Sequence, residues 1–285
     1  MTNAAVVRLG GARRRRPRFS AGSTGLTLLA WVMALLFFFP IVWMILLSFR
    51  SESDAATPRL LAAFTGVNYD GLFSGDVKIA ILNSLNASIT STVLVLLLAV
   101  PAAYALSIKP VKKWTDVLFF FLSTKMMPAV AALLPIYLIT NDLGMNDNIW
   151  ALILVYTAAN LPIAIWMLRS FLLEVPREII EAAQVDGANL VTILRRVITP
   201  IIAPGLAATA LICFIFSWNE FLFALRLTGQ NAKTAPVFLA GSIAPEGLFL
   251  AHLCAVAFVV CLPVLIAGWV AQDKLVRGLS LGAVK

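Results

Sequence analysis

The sequence predicts an all-α integral membrane protein with six transmembrane helices. Three observations lead there. Of the 285 residues, 61% are hydrophobic and only 13% charged, about half the charged share of a soluble domain; mean hydropathy is +0.93. The apolar residues gather into runs long enough to cross a bilayer, where roughly 20 residues suffice. Those runs are about twice the length of a barrel strand and do not alternate in polarity. In lipid an isolated segment must satisfy its own backbone hydrogen bonds, which makes each run a helix.

The elements follow in order. Residues 1–25 form a basic tail whose Arg13, Arg14, Arg15 and Arg16 anchor topology and attract anionic lipid. The first run, 26–48, has 23 residues; a signal-peptide core is only about 7–15 long, so the run reads as an uncleaved first helix. A polar, turn-rich loop at 49–79 is either a docking surface or a solvated connector. Further spans fall at 80–108, 117–140, 149–171, 201–226 and 248–271, with a tail at 272–285. Residues 26–271 thus make up the transmembrane domain.

Charge sets the orientation. With the N-terminus inside, sixteen Lys and Arg fall in cytoplasmic segments and five in outer ones, with Lys125 inside a span. That asymmetry fits the positive-inside rule and puts both termini in the cytoplasm. It also accounts for the net charge of +8 without nucleic acid, since no basic stretch is interleaved with aromatics as single-strand binding requires. Cys213, Cys254 and Cys261 lie in apolar runs and His252 is the only histidine. Neither a disulfide framework nor a metal site is expected, and no cofactor is implied.

The longest cytoplasmic loop, 172–200, is patterned like folded protein. Pro176 suits a helix start, and Glu178 and Glu181 follow where the helix dipole favours acids. Gly187 breaks the run. Leu190, Ile193, Leu194, Val197 and Ile198 then mark one helical stripe, with Arg195 and Arg196 off it and Pro200 just beyond. The loop reads as a helix–turn–helix cap.

Here the residues carry a resemblance. Glu181-Ala182-Ala183, Asp186-Gly187-Ala188, and Ile198 two residues before Pro200 resemble the EAA loop of permease subunits of ATP-binding-cassette importers. Thr199 departs from the usual leucine. "LPIAIWMLRSFLLEVPREIIEAAQVDGA", "FSWNEFLFALRLT" and the tail "KLVRGLSLGAVK" resemble the carbohydrate-uptake branch, in particular its maltose-permease-like smaller subunit. The resemblance implies the type I importer transmembrane fold in a bacterial inner membrane. It also implies a second permease subunit, an ATPase dimer and an extracytoplasmic solute-binding protein as partners. Through it Glu181, Ala182, Ala183, Asp186, Gly187 and Ala188 become the coupling segment, a lever moved by closure of the ATPase. No G-x-x-x-x-G-K-[ST] occurs in the chain, so the phosphate cradle is expected on another chain.

Polar residues within the spans need a separate account, because such groups usually face a bundle interior or cavity. Asn83, Asn86, Lys125, Asn160, Trp218, Asn219 and Glu220 are candidates for the substrate pathway. Helix-to-helix hydrogen bonding is the competing role for the amides; Lys125 could instead pair with an acid of a partner or snorkel. A permease for a sugar, sugar alcohol or modified sugar, a sulfonated one included, is the expected function. A permease for another solute is the alternative, and a structural membrane subunit would lack the lever. An intramembrane enzyme would need a His/Cys/Asp/Glu cluster that these spans do not offer.

Overall fold

A computed structural model describes residues 21–55, 57, 63–108, 111–242 and 249–283, with side chains described from 25 to 272. Most of the basic N-terminal tail, Lys109 and the side chains of the C-terminal tail lie outside the described residues. The chain divides into two units, Met1–Leu46 and Leu47–Lys285. Among the described residues every regular element is helical.

The first unit holds most of α1 (Ala21–Ser48), whose side chains are exposed from Gly25 to Val42. In the second unit a short α2 (Glu52–Ala55) precedes α3 (Gly75–Ser107), which at 33 residues spans about 50 Å. Then come α4 (Trp114–Met126), α5 (Ala129–Asp142) and α6 (Ile149–Leu172). Next is a pair, α7 (Arg177–Val185) and α8 (Leu190–Ile201). The chain closes with α9 (Ala203–Trp218), α10 (Leu222–Leu227), α11 (Ala235–Gly241) and α12 (Leu250–Ala283).

Four helices, α1, α3, α6 and α12, are each long and apolar enough to cross a membrane; two bent pairs raise the number to as many as six. The expected third span, 117–140, is one of those pairs: α4 and α5 meet at 92° across Met127 and Pro128. Proline has no N–H for the ladder and pushes the residue before it out of the helical region; Met127 accordingly takes ψ 132°. The expected fifth span, 201–226, is also interrupted. α8 turns by 86° into α9 at Ile202, just before Pro204, and α9 gives way to α10 at Asn219–Phe221. The last helix runs past the expected 271 to Ala283.

The main core joins α3, α6 and the α7–α8 pair. Val95, Ala99, Ala103, Ala164, Ile165 and Leu168 meet Ile180, Ile193 and Ile198 in one buried cluster. Along α3 many of the buried positions are small, among them Ser84, Ser88, Ser91, Ala99 and Ala103. Small side chains let helix axes approach where lipid offers no hydrophobic drive for association. α9 approaches as closely: a Cβ at Gly205 would land in the Phe171 ring at the end of α6.

Candidate coupling loop and substrate pathway

The end of α7 explains the spacing of the EAA residues from the glycine. The Gly187 N–H donates to the Gln184 carbonyl at 3.0 Å and the Ala188 N–H to the Ala183 carbonyl at 2.9 Å. Those are the two bonds of a Schellman cap, whose second helix-flanking position packs on the third from the helix end. Here that pair is Ala188 and Ala183, both half-buried on the core cluster of α3 and α6. The cap needs a left-handed residue between them, and Gly187 supplies it with φ +80°. Glu181, Ala182, Asp186 and Gly187 are exposed around the turn.

Asn189 then opens α8, its side-chain oxygen accepting the Thr192 N–H at 2.9 Å. Of the predicted stripe, Ile193 and Ile198 are buried and Leu194 packs on the core, while Leu190 remains 53% exposed. Residues Ile193–Ile198 wind as a π segment, and Thr199 Oγ1 donates to the Leu194 carbonyl at 2.7 Å. Pro200 withholds a donor from the next turn, and such insertions are the usual cause of a local change in helical winding. The stripe thus slips in phase along its length, which a strict 3.6-residue reading misses. Val185 and Val191, 88% and 70% exposed, were not singled out by pattern.

The polar candidates in the spans separate into distinct environments. Asn83 Nδ2 donates to the carbonyls of Asn231 (2.8 Å) and Lys233 (3.0 Å), pinning a distant loop to α3. Asn160 is buried, donating to Ser217 Oγ at 3.0 Å and to the Tyr156 carbonyl at 3.0 Å. Ser217 Oγ in turn lies 3.2 Å from Ser91 Oγ, so α3, α6 and α9 share one polar seam. Trp218 is 2% exposed and stacks on Phe214 inside the core, with no ring face open to a solute. Glu220 accepts the N–H groups of Phe223 and Ala224 at 2.9 and 3.1 Å and so caps α10. Asn86 and Asn219 are exposed, with local bonds to Thr90 and to the Ile215 carbonyl.

Lys125 lies at the end of α4 on a cleft of about 450 Å³ between the α4–α5 pair and α6. Its Nζ donates to the Ala159 carbonyl at 3.1 Å and sits 5.1 Å from the centroid of the Phe216 ring. Among the described residues no group of three or more His, Cys, Asp or Glu is placed to hold a metal.

One further cluster escaped the sequence reading. Asp147, at φ +54° between α5 and α6, accepts the N–H groups of Gly229 (2.7 Å), Asn231 (3.1 Å) and Ala232 (2.9 Å), plus Asn231 Nδ2 at 2.9 Å. Burial alone would raise its pKa, but these bonds together outweigh it and hold the carboxyl below its ordinary range. The partners are more than eighty residues away, so no local pattern could have announced the clamp.

Broken apolar helices, a polar interhelical seam and a helix–turn–helix packed on α3 and α6 describe a polytopic helical membrane protein. Residues 95–277 match the model of the binding-protein-dependent transport system inner membrane component, and the chain belongs to that family. It is a transporter subunit, and ATP hydrolysis in such systems belongs to a separate ATPase. It is 37% identical to the probable ABC transporter permease protein y4oR of Sinorhizobium fredii, over 91% of this chain and 94% of that one. It is 34% identical to the trehalose transport system permease protein SugB of Mycobacterium tuberculosis, over 86% and 92%. A solved bacterial ABC transporter that imports the acidic polysaccharide alginate contains a chain with the same fold. The two superpose with TM-score 0.78 at 24% identity, covering 91% of this chain and all of that one.

Proposed function

We propose that the chain is one of two permease subunits of a carbohydrate importer and that residues 177–201 transmit movement from an ATPase subunit to the membrane helices. The observation that carries this reading is the continuous core. Ile180, Ala183, Ala188, Ile193 and Ile198 pack on the same cluster as α3 and α6, so a force on the exposed tip at 185–187 reaches those helices without a flexible joint. Close-packed interiors transmit strain rather than absorb it. The tip pairs exposed charges, Glu181 and Asp186, with the apolar Val185 and Val191, a combination suited to a protein cleft. Relatives named for sugar transport support the carbohydrate class. In this reading Lys125, Asn86 and Asn219 remain available to solute, an extracytoplasmic binding protein delivers it, and both termini are cytoplasmic.

The test is assembly. Purified with its second permease and the ATPase, the chain should support ATP hydrolysis that rises when a sugar-loaded binding protein is added. Alone it should neither bind nor hydrolyse ATP, for want of a phosphate loop. ATP turnover by the isolated chain, or an ATPase that does not co-purify with the complex, would refute the proposal.

A further inference from the structure

Two of the apolar helices are broken, and both breaks contribute to one cleft. The α4–α5 break at Met127–Pro128 opens the cleft on one side, and α10, which follows the α9 break, gives Phe223 to its wall. In membrane transporters discontinuous helices are where backbone groups and charges become available to solute. At about 450 Å³ the cleft is within the range of small-molecule sites. Its opposite wall is the part of α6 around its internal proline, where Ala158, Ala159 and Pro162 keep side chains short. Pro162 also withholds the N–H that the Ala158 carbonyl would otherwise accept.

Among the described residues lining this space, Lys125 is the one that carries a charge, and no carboxylate shares the wall. An ammonium within an apolar span is costly and is normally balanced by an acid. Glu220, the acid of the neighbouring break, already gives both oxygens to the N-terminus of α10. Lys125 has three donors; the Ala159 carbonyl takes one, and the Phe216 face offers a further electrostatic contact. A charge held in place from behind and uncompensated in front of an otherwise apolar cleft is arranged to receive an anion.

We propose that this cleft binds the anionic group of the transported solute, a carboxylate or sulfonate borne on a carbohydrate, with Lys125 as the specificity-determining residue. The proposal rests on the permease reading above. An anionic lipid headgroup offers the same chemistry, and the experiment separates the two. The complete importer is placed in nanodiscs of neutral phosphatidylcholine, without binding protein, and titrated calorimetrically with glucuronate and with glucose. Glucuronate should bind about tenfold more tightly or better, as expected of a charge-assisted bond. Lys125→Gln should abolish that preference and Lys125→Arg should keep it. Equal affinities, no binding of either probe, or a preference that survives Lys125→Gln would overturn the proposal. So would a preference that disappears once phosphatidylglycerol is added to the discs, because the site would then be a lipid site. ATPase co-purification and hydrolysis are measured on each variant complex. If they are intact while glucuronate fails, the cleft proposal alone falls; if the ATPase does not assemble, the permease reading falls and takes the cleft with it.

Discussion

Gly187 has φ +80° with nothing within 4 Å of where a Cβ would stand. Substitution there is therefore penalised by backbone conformation and not by crowding. A β-branched residue pays about 1 kcal/mol or more in the left-handed region, whereas asparagine tolerates it. Gly187→Val should displace the tip and reduce both uptake and co-purification of the ATPase, and Gly187→Asn should retain most of both. Equal loss in the two variants would mean that the tip is limited by contact and not by conformation. Glu181→Ala is expected to be milder than Gly187→Val, because Glu181 is exposed and outside the cap hydrogen bonds. Its effect should fall on coupling, read as ATP hydrolysis without proportionate transport.

At the scale of elements, the segment 229–235 is held by side chains from three directions. Asp147 accepts from Gly229, Asn231 and Ala232, Asn83 donates to Asn231 and Lys233, and Ser84 Oγ accepts the Ala235 N–H at 2.8 Å. Because the Asp147 carboxyl is held below its ordinary range, it binds fewer protons folded than unfolded. Its contribution is present above the unfolded pKa of about 3.9 and is lost as pH falls through the lower folded value. Proteolysis within 229–232 should therefore stay slow in the wild-type protein at neutral pH and accelerate only below about pH 4. Asp147→Ala should be cleaved quickly at pH 7, with no further acid step from this group. A wild-type cleavage rate in Asp147→Ala would show that Asn83 and Ser84 suffice to hold the segment.

For the molecule as a whole, the charge asymmetry predicts that the α7–α8 pair faces the cytoplasm and the 63–74 loop the opposite side. Single cysteines at Ser74 and Thr192, introduced after replacing Cys213, Cys254 and Cys261, test it with an impermeant thiol reagent on intact cells. Ser74→Cys should label from outside and Thr192→Cys only after permeabilisation. Labelling of Thr192→Cys in intact cells would invert the topology and remove the coupling loop from the ATPase side.

The amino-acid sequence by itself determined the helical membrane class, the approximate positions of the apolar runs and the helix–turn–helix of α7 and α8 with its glycine. Each of these is written in neighbouring residues: hydropathy accumulates along a run, and a Schellman cap is closed by groups five residues apart. Asn189 as a helix cap emerges only from the structure, although its place just before an apolar stripe carries that signal. The tertiary structure decided where runs break, as at Asn219–Phe221, and which prolines break them, Pro128 doing so while Pro101 and Pro135 stay inside helices; hydropathy averages over a kink that leaves composition unchanged. It also divided the polar span residues, sending Asn160 to the interhelical seam, Glu220 to a helix end and Trp218 to the core, while Lys125 faces a cleft. All are polar or amphipathic side chains in greasy surroundings: Lys125 and Asn160 are set apart by partners that packing brings from 34 and 57 residues away, Glu220 and Trp218 by partners three or four residues along the chain.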